Sequence, residues 1–149
     1  MLILHITLES DYAIRIVYCL ARADKRLDAH SISERSSVSL RFSLKILRKL
    51  VSSGIVQSFK GAKGGYVLAK QPEEITMREV IETVEGPYRF SRCLDSEYPC
   101  THGGRCDCPF QSVFDDISQT VREKLEQINF SMLLNHSDKA GWADSQPKL

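Results

Sequence analysis

No stretch of the chain approaches the ~20 consecutive apolar residues that a bilayer-spanning helix requires. The apolar opening Met1-Leu2-Ile3-Leu4 lacks a basic lead and is soon interrupted by His5. No signal peptide or membrane anchor is therefore expected, and the chain reads as cytoplasmic. The marks of common enzyme classes are missing too. There is no His-Glu-x-x-His, no phosphate loop and no convergent Ser/His/Asp set, and His5, His30, His102 and His136 are scattered. An enzyme is not expected. Nor does any Cys-x2-4-Cys knuckle occur, the spacing on which structural zinc sites are usually built.

A local absence is the most informative. From Arg35 to Pro72 there is no acidic residue, while Arg35, Arg41, Lys45, Arg48, Lys49, Lys60, Lys63 and Lys70 contribute eight positive charges. The rest of the chain holds 12 basic and 19 acidic residues, so a net charge of +1 conceals a basic middle on an acidic frame. Such a distribution is the footprint of a face that binds a polyanion.

What is present is enough to fold. At 149 residues and 42% hydrophobic the chain can bury one ordinary core. Ala13, Ile16, Val17, Leu20 and Ala21 repeat at helical spacing, predicting a helix over 11–23 capped by Ser10 or Asp11. Ser31-Ile32-Ser33-Glu34 reads as a capping box opening a second, short helix. After the turn Ser36–Ser39, a third helix is expected over Leu40–Ser52, with Leu40, Leu44, Leu47 and Val51 as its apolar stripe and Gly54 as its stop. Ile55–Phe59 and Tyr66–Ala69 are strand-like and flank Lys60-Gly61-Ala62-Lys63-Gly64-Gly65, a basic hairpin tip whose backbone can approach another molecule closely. A helix-turn-helix followed by such a hairpin is a winged helix.

Beyond Gln71-Pro72, Thr76-Met77-Arg78-Glu79 reads as a second capping box, opening a helix that bears Val80, Ile81 and Val84 and ends at Gly86-Pro87. One long helix is expected from Phe110 to about Leu134, striped by Phe110, Val113, Phe114, Ile117, Val121, Leu125, Ile128 and Met132. A twin helix from a second copy would cover that stripe. The fold class is thus mainly α with a small β wing. A winged helix-turn-helix spans 1–87, a cysteine loop 88–109, a dimerisation helix 110–135 and a disordered tail 136–149.

On the third helix Ser39, Arg41, Phe42, Ser43 and Lys45 occupy the half that meets base edges in helix-turn-helix proteins. Arg41 suits bidentate reading of guanine. Arg48 and Lys49 suit phosphates, and Lys60 and Lys63 the neighbouring minor groove. The expected partner is double-stranded DNA.

Cys93, Cys100, Cys106 and Cys108 fall in a C-x6-C-x5-C-x-C pattern on a segment too polar to order itself by packing. Soft thiolates suit an iron–sulfur cluster or zinc, and the same spacing leaves a thiol switch or inert thiols open. Cys19, among core positions of the first helix, reads as a small buried hydrophobe.

Together these motifs resemble the IscR/NsrR-type, or Rrf-two, family of bacterial winged-helix regulators over about residues 5–134. The resemblance rests on Asp11-Tyr12-Ala13-Ile14-Arg15, Leu47-Arg48-Lys49-Leu50 with Ser53-Gly54-Ile55-Val56, and the wing Lys60-Gly61-Ala62-Lys63-Gly64-Gly65-Tyr66. Pro72-Glu73-Glu74-Ile75-Thr76, Val84-Glu85-Gly86-Pro87, the cysteine loop and the final helix continue it. It implies a homodimer on a palindromic operator, and a repressor that senses redox state, iron or nitric oxide through a two-iron or four-iron cluster. By the same resemblance Cys93, Cys100 and Cys106 would be ligands, with Asp11 from the partner subunit as the fourth and Cys108 and His102 as rivals. Pro109 stands where some members carry a ligating histidine. Three features depart from the family: a first cysteine gap of six residues where five is more usual, the extra thiol of Cys108, and a recognition helix with no Glu or Gln near Arg41–Ser43, which leaves its operator open. The alternatives are a regulator of the same fold using thiol oxidation or zinc and, in another class, an iron–sulfur carrier.

Overall fold

The computed structural model describes residues 6–98, 100 and 108–140, and of 137–140 the backbone only. Helix α1 runs from Leu8 to Ala23. It starts a turn earlier than expected, because Thr7 Oγ1 takes the cap by accepting from the Ser10 backbone N–H at 3.2 Å. Glu9 and Asp11 thereby fall inside the first turn, where the helix dipole favours carboxylates. Helix α2 covers Ala29–Ser36. The capping box expected at Ser31 does not form. Asp28 accepts from both the backbone N–H and the hydroxyl of Ser31, at 3.0 and 2.9 Å, and so caps the helix from three residues further back. Ser37, at φ 53°, reverses the chain into α3, Leu40–Ser52.

Helix α3 is where expected but rotated. Its buried face is Ser43, Ile46, Leu47 and Leu50, which pack into a core with Ile16, Val17 and Leu20 of α1 and Ile32 of α2. Leu40, Leu44 and Val51 are only half-buried, so the predicted stripe marks the edge of the core face rather than its centre. Gly54, at φ 79°, turns the chain into β1, Val56–Phe59, which pairs antiparallel with β2, Gly65–Leu68. The register sets Val56 opposite Leu68 and Phe59 opposite Gly65.

Helix α4, Met77–Glu85, is capped by Thr76 and packs on α1 through Val80, Ile81 and Val84. Only half of the anticipated box forms, since the Glu79 carboxylate pairs with Lys70 at 2.5 Å. Helix α5 is Pro109–Glu126 and α6 is Phe130–Ala140, where a single helix was expected. The chain breaks because residues 128–130 pair with the segment before α4. Met77 N–H donates to Ile128 O at 2.8 Å and Phe130 N–H to Ile75 O at 3.1 Å. Asn129 then caps α6 by accepting from Met132 N–H at 2.9 Å, and Phe130 is fully buried. The expected tail is helical as far as Ala140, and the rest of it lies outside the described residues. Among the described residues no helix is long and apolar enough to cross a membrane.

Candidate nucleic-acid interface and cysteine loop

The outer face of α3 carries Arg41, Phe42, Lys45 and Arg48, all exposed. With Leu40 and Leu44 they line an open concavity of about 800 Å³. Ser39 is exposed ahead of the helix. Two other residues expected on this face are otherwise engaged. Ser43 is fully buried and its hydroxyl donates to Val38 O at 3.3 Å, so it faces the core and not a groove. The ammonium of Lys49 pairs with Glu9 at 2.6 Å and donates to Val84 O at 2.9 Å, which turns it toward α1 and α4.

The wing carries Lys60, Gly61 and Lys63 exposed at its tip. Its last two glycines answer to the chain's own backbone. A Cβ on Gly64 would lie 2.6 Å from Phe59 O, and one on Gly65, at φ 137°, 2.6 Å from Leu27 O. Tyr66 exchanges two backbone hydrogen bonds with Leu27, at 2.8 and 3.0 Å, and its half-buried side chain packs on the core. Arg26, unremarked in the sequence, braces the hairpin. Its guanidinium donates to Lys63 O at 2.9 Å and stacks 3.6 Å from the centre of the Phe59 ring. No local motif announces such a residue, because its partners lie over thirty positions away.

The first turn of α1 joins three elements. Glu9 pairs with Lys45 as well as Lys49, and the Lys49 hydrogen bond holds its carboxyl below the usual range against the opposing effect of burial. Glu85, at the end of α4, accepts from the hydroxyls of Thr7 and Ser10. Asp11 pairs with Arg15 at 2.7 Å.

From α4 the chain passes into the cysteine loop. Cys93 sits on a single 3-10 turn, Arg92–Leu94, with its thiol 3.3 Å from the Ser91 hydroxyl. Phe90 anchors this strand of the loop to α5, its N–H donating to Ser118 Oγ at 2.9 Å and its ring packing on Phe114. Cys100 is exposed, and Cys108 is half-buried immediately before α5. Cys93, Cys100 and Cys108 are free thiols. Cys106 and His102 lie outside the described residues. Among the described residues no three potential metal ligands come together.

Comparison with known proteins agrees with this architecture. The family model Rrf2, described as "Iron-dependent Transcriptional regulator", matches residues 6–136. The transcriptional regulator IscR of Serratia proteamaculans is 33% identical over 115 residues, covering 77% of this chain and 68% of its own. That of Yersinia pseudotuberculosis is 29% identical over 145 residues, covering 96% and 87%. Among solved structures, IscR of T. potens superposes with a TM-score of 0.73 at 22% identity, covering 92% of this chain and 90% of that one. CymR of B. subtilis, named a global cysteine regulator, gives 0.71 at 26% identity, covering 90% and 98%. With a winged helix, a basic recognition face and a family match along nearly its whole described length, the chain belongs to the Rrf2 family of transcriptional regulators.

Proposed function

We propose that the protein is a homodimeric repressor, acting in the cytoplasm, whose grip on a palindromic operator follows the state of an iron–sulfur cluster in the 88–109 loop. The observation that carries the reading is the junction at the first turn of α1. This turn holds Asp11, receives Glu85 from the helix that leads into the cysteine loop, and through Glu9 grips Lys45 and Lys49 of α3. Any rearrangement of that turn is felt by the recognition helix.

The donor set suits the cofactor, since free soft thiolates favour iron–sulfur chemistry. Cys93, Cys100 and Cys106 would hold it, with Asp11 of the second subunit completing the set and Cys108 and His102 as rivals. When bound, such a cluster supplies reactivity toward oxidants, nitric oxide and iron loss. The remaining work falls to the chain. With a cluster bound, Asp11 would leave its Arg15 partner to serve as a ligand, the first turn of α1 would shift with it, and Glu9 would pass that shift to Lys45 and Lys49. A coupling of about 1–3 kcal/mol is enough to separate bound from free operator in such systems. On DNA, Arg41 would read guanine and Lys60 and Lys63 would hold backbone at the wing.

The test is a visible absorption spectrum of protein purified without oxygen, with iron and acid-labile sulfide assayed on the same sample. Colour with both elements, lost in Cys93→Ala, supports the sensor. Protein that stays colourless after reconstitution moves the reading to zinc or thiol oxidation, the latter favoured by the free thiol of Cys108 beside α5. Release from DNA at moderate salt would favour a carrier.

A further inference from the structure

We infer that the recognition helix identifies a thymine methyl group in each half-site through Phe42 and Leu44, an inference that rests on the DNA-binding reading above. The argument begins with what α3 lacks. Between Leu40 and Ser52 there is no Asn, Gln, Asp or Glu. In the major groove adenine is paired bidentately by Asn or Gln, and the cytosine amino group is accepted by a carboxylate. This helix has neither tool. Its exposed hydrogen-bonding side chains there include the donors Arg41 and Arg48, and Lys45, which also pairs with Glu9 at 3.2 Å; these suit the acceptors of guanine and the phosphates. Such donors can also meet adenine N7 or thymine O4, but neither they nor Ser39 reads the C5-methyl of thymine, which is recognised by apolar contact.

The helix supplies that contact on the same face. Phe42 is 45% exposed, although an aromatic side chain of its size is normally drawn into a core. Its ring is steadied edge-on by Tyr12 of α1, with centroids 5.8 Å apart, so it stands in place before a partner arrives. Leu40 and Leu44, one turn apart, line the same concavity as Phe42, together with Arg41, Lys45 and Arg48. Apolar side chains and cations on one exposed face match the major-groove edge of DNA, where methyl groups lie between two rows of phosphates. A protein-binding groove would gain nothing from these cations unless its partner were equally acidic.

The experiment starts from a random duplex library enriched on the purified dimer. In the selected duplex each thymine is then replaced by deoxyuridine, which removes one methyl and keeps the base pair. Binding is followed by fluorescence anisotropy. One thymine per half-site should be sensitive, its replacement weakening the wild type about four-fold, the worth of one buried methyl group. Phe42→Ala should bind both duplexes alike, and Phe42→Leu should retain part of the preference. The deoxyuridine series uses unaltered protein, so its result does not depend on how a variant folds. A wild type indifferent to every replacement overturns the inference while leaving DNA binding intact. So does Phe42→Ala with undiminished discrimination. Failure to retain any duplex, even at low salt, overturns the DNA reading and this inference with it.

Discussion

Glu9 holds two cations of α3 at once, and its titration therefore bears on how firmly that helix is set. Hydrogen bonding from Lys49 keeps its carboxyl below the ordinary value of 4.5, with burial opposing and Lys45 assisting. A carboxylate with a depressed folded-state pKa stabilises the fold above its unfolded value, and the contribution disappears as pH falls through the folded one. Glu9→Gln should accordingly unfold at lower urea than the wild type at neutral pH, and the two midpoints should converge below pH 4.5. A gap that persists in acid would mean that Glu9 acts by packing. Chemistry at this scale was half legible. The sign of Lys49 is plain in the sequence, yet its partner is set by α1 packing on α3, which no local pattern reveals. Arg41 and Lys63 are open to solvent and keep the roles their chemistry offers. Arg41→Ala should cost about 1–3 kcal/mol at one base position, whereas Lys63→Ala should weaken all duplexes alike and flatten the salt dependence. Equal losses on operator and random DNA for Arg41→Ala would remove it as a reader.

Among the elements, those that close on themselves were readable: α3 by its periodicity and Gly54, the wing by its glycines, and α4 by Thr76 and Gly86. The cap of α2 was misplaced by three residues, because Asp28 is an equally good cap residue and the Ser31 hydroxyl donates to its carboxylate instead of accepting from the backbone. The break between α5 and α6 was invisible for a different reason. The apolar stripe runs on through Ile128 and Met132, and what interrupts it is pairing with Ile75 and Met77, some fifty residues earlier. Phe130 is the price of that break and also its anchor, being fully buried with Ile75 and Val80 in the same core. Phe130→Ala should therefore destabilise the whole fold by about 3–5 kcal/mol, read from denaturant unfolding. A smaller loss, confined to α6, would show that the terminal helix is an appendage. The wing makes a parallel case. Gly65→Ala drives a Cβ toward Leu27 O at a φ that side chains rarely adopt, so the Leu27–Tyr66 pairing should open and the wing lose its seat.

For the molecule as a whole, the decisive surface is the outer side of α5. Phe110 and Val113 are 62% and 55% exposed, and Ile117, Val121 and Leu125 continue their line half-buried. The adjoining edge of the same apolar stripe is already used, with Phe114 against Phe90 and Ser118 buried. A helix whose apolar stripe is covered along one edge only is incomplete alone, and a second copy related by two-fold symmetry would cover the rest. Two recognition helices would then face half-sites about one turn of DNA apart, roughly 10 bp. Val113→Glu sets a charge into this seam without touching α3 or the wing. The variant should sediment as a monomer and keep its fold by circular dichroism. On an operator with two half-sites its affinity should drop to that of a single half-site, because the second binding event is no longer intramolecular. A monomeric variant that still binds the full operator as tightly as the wild type would show that the subunits meet on DNA through some other surface, and the two-fold reading of both protein and operator would have to be rebuilt from there.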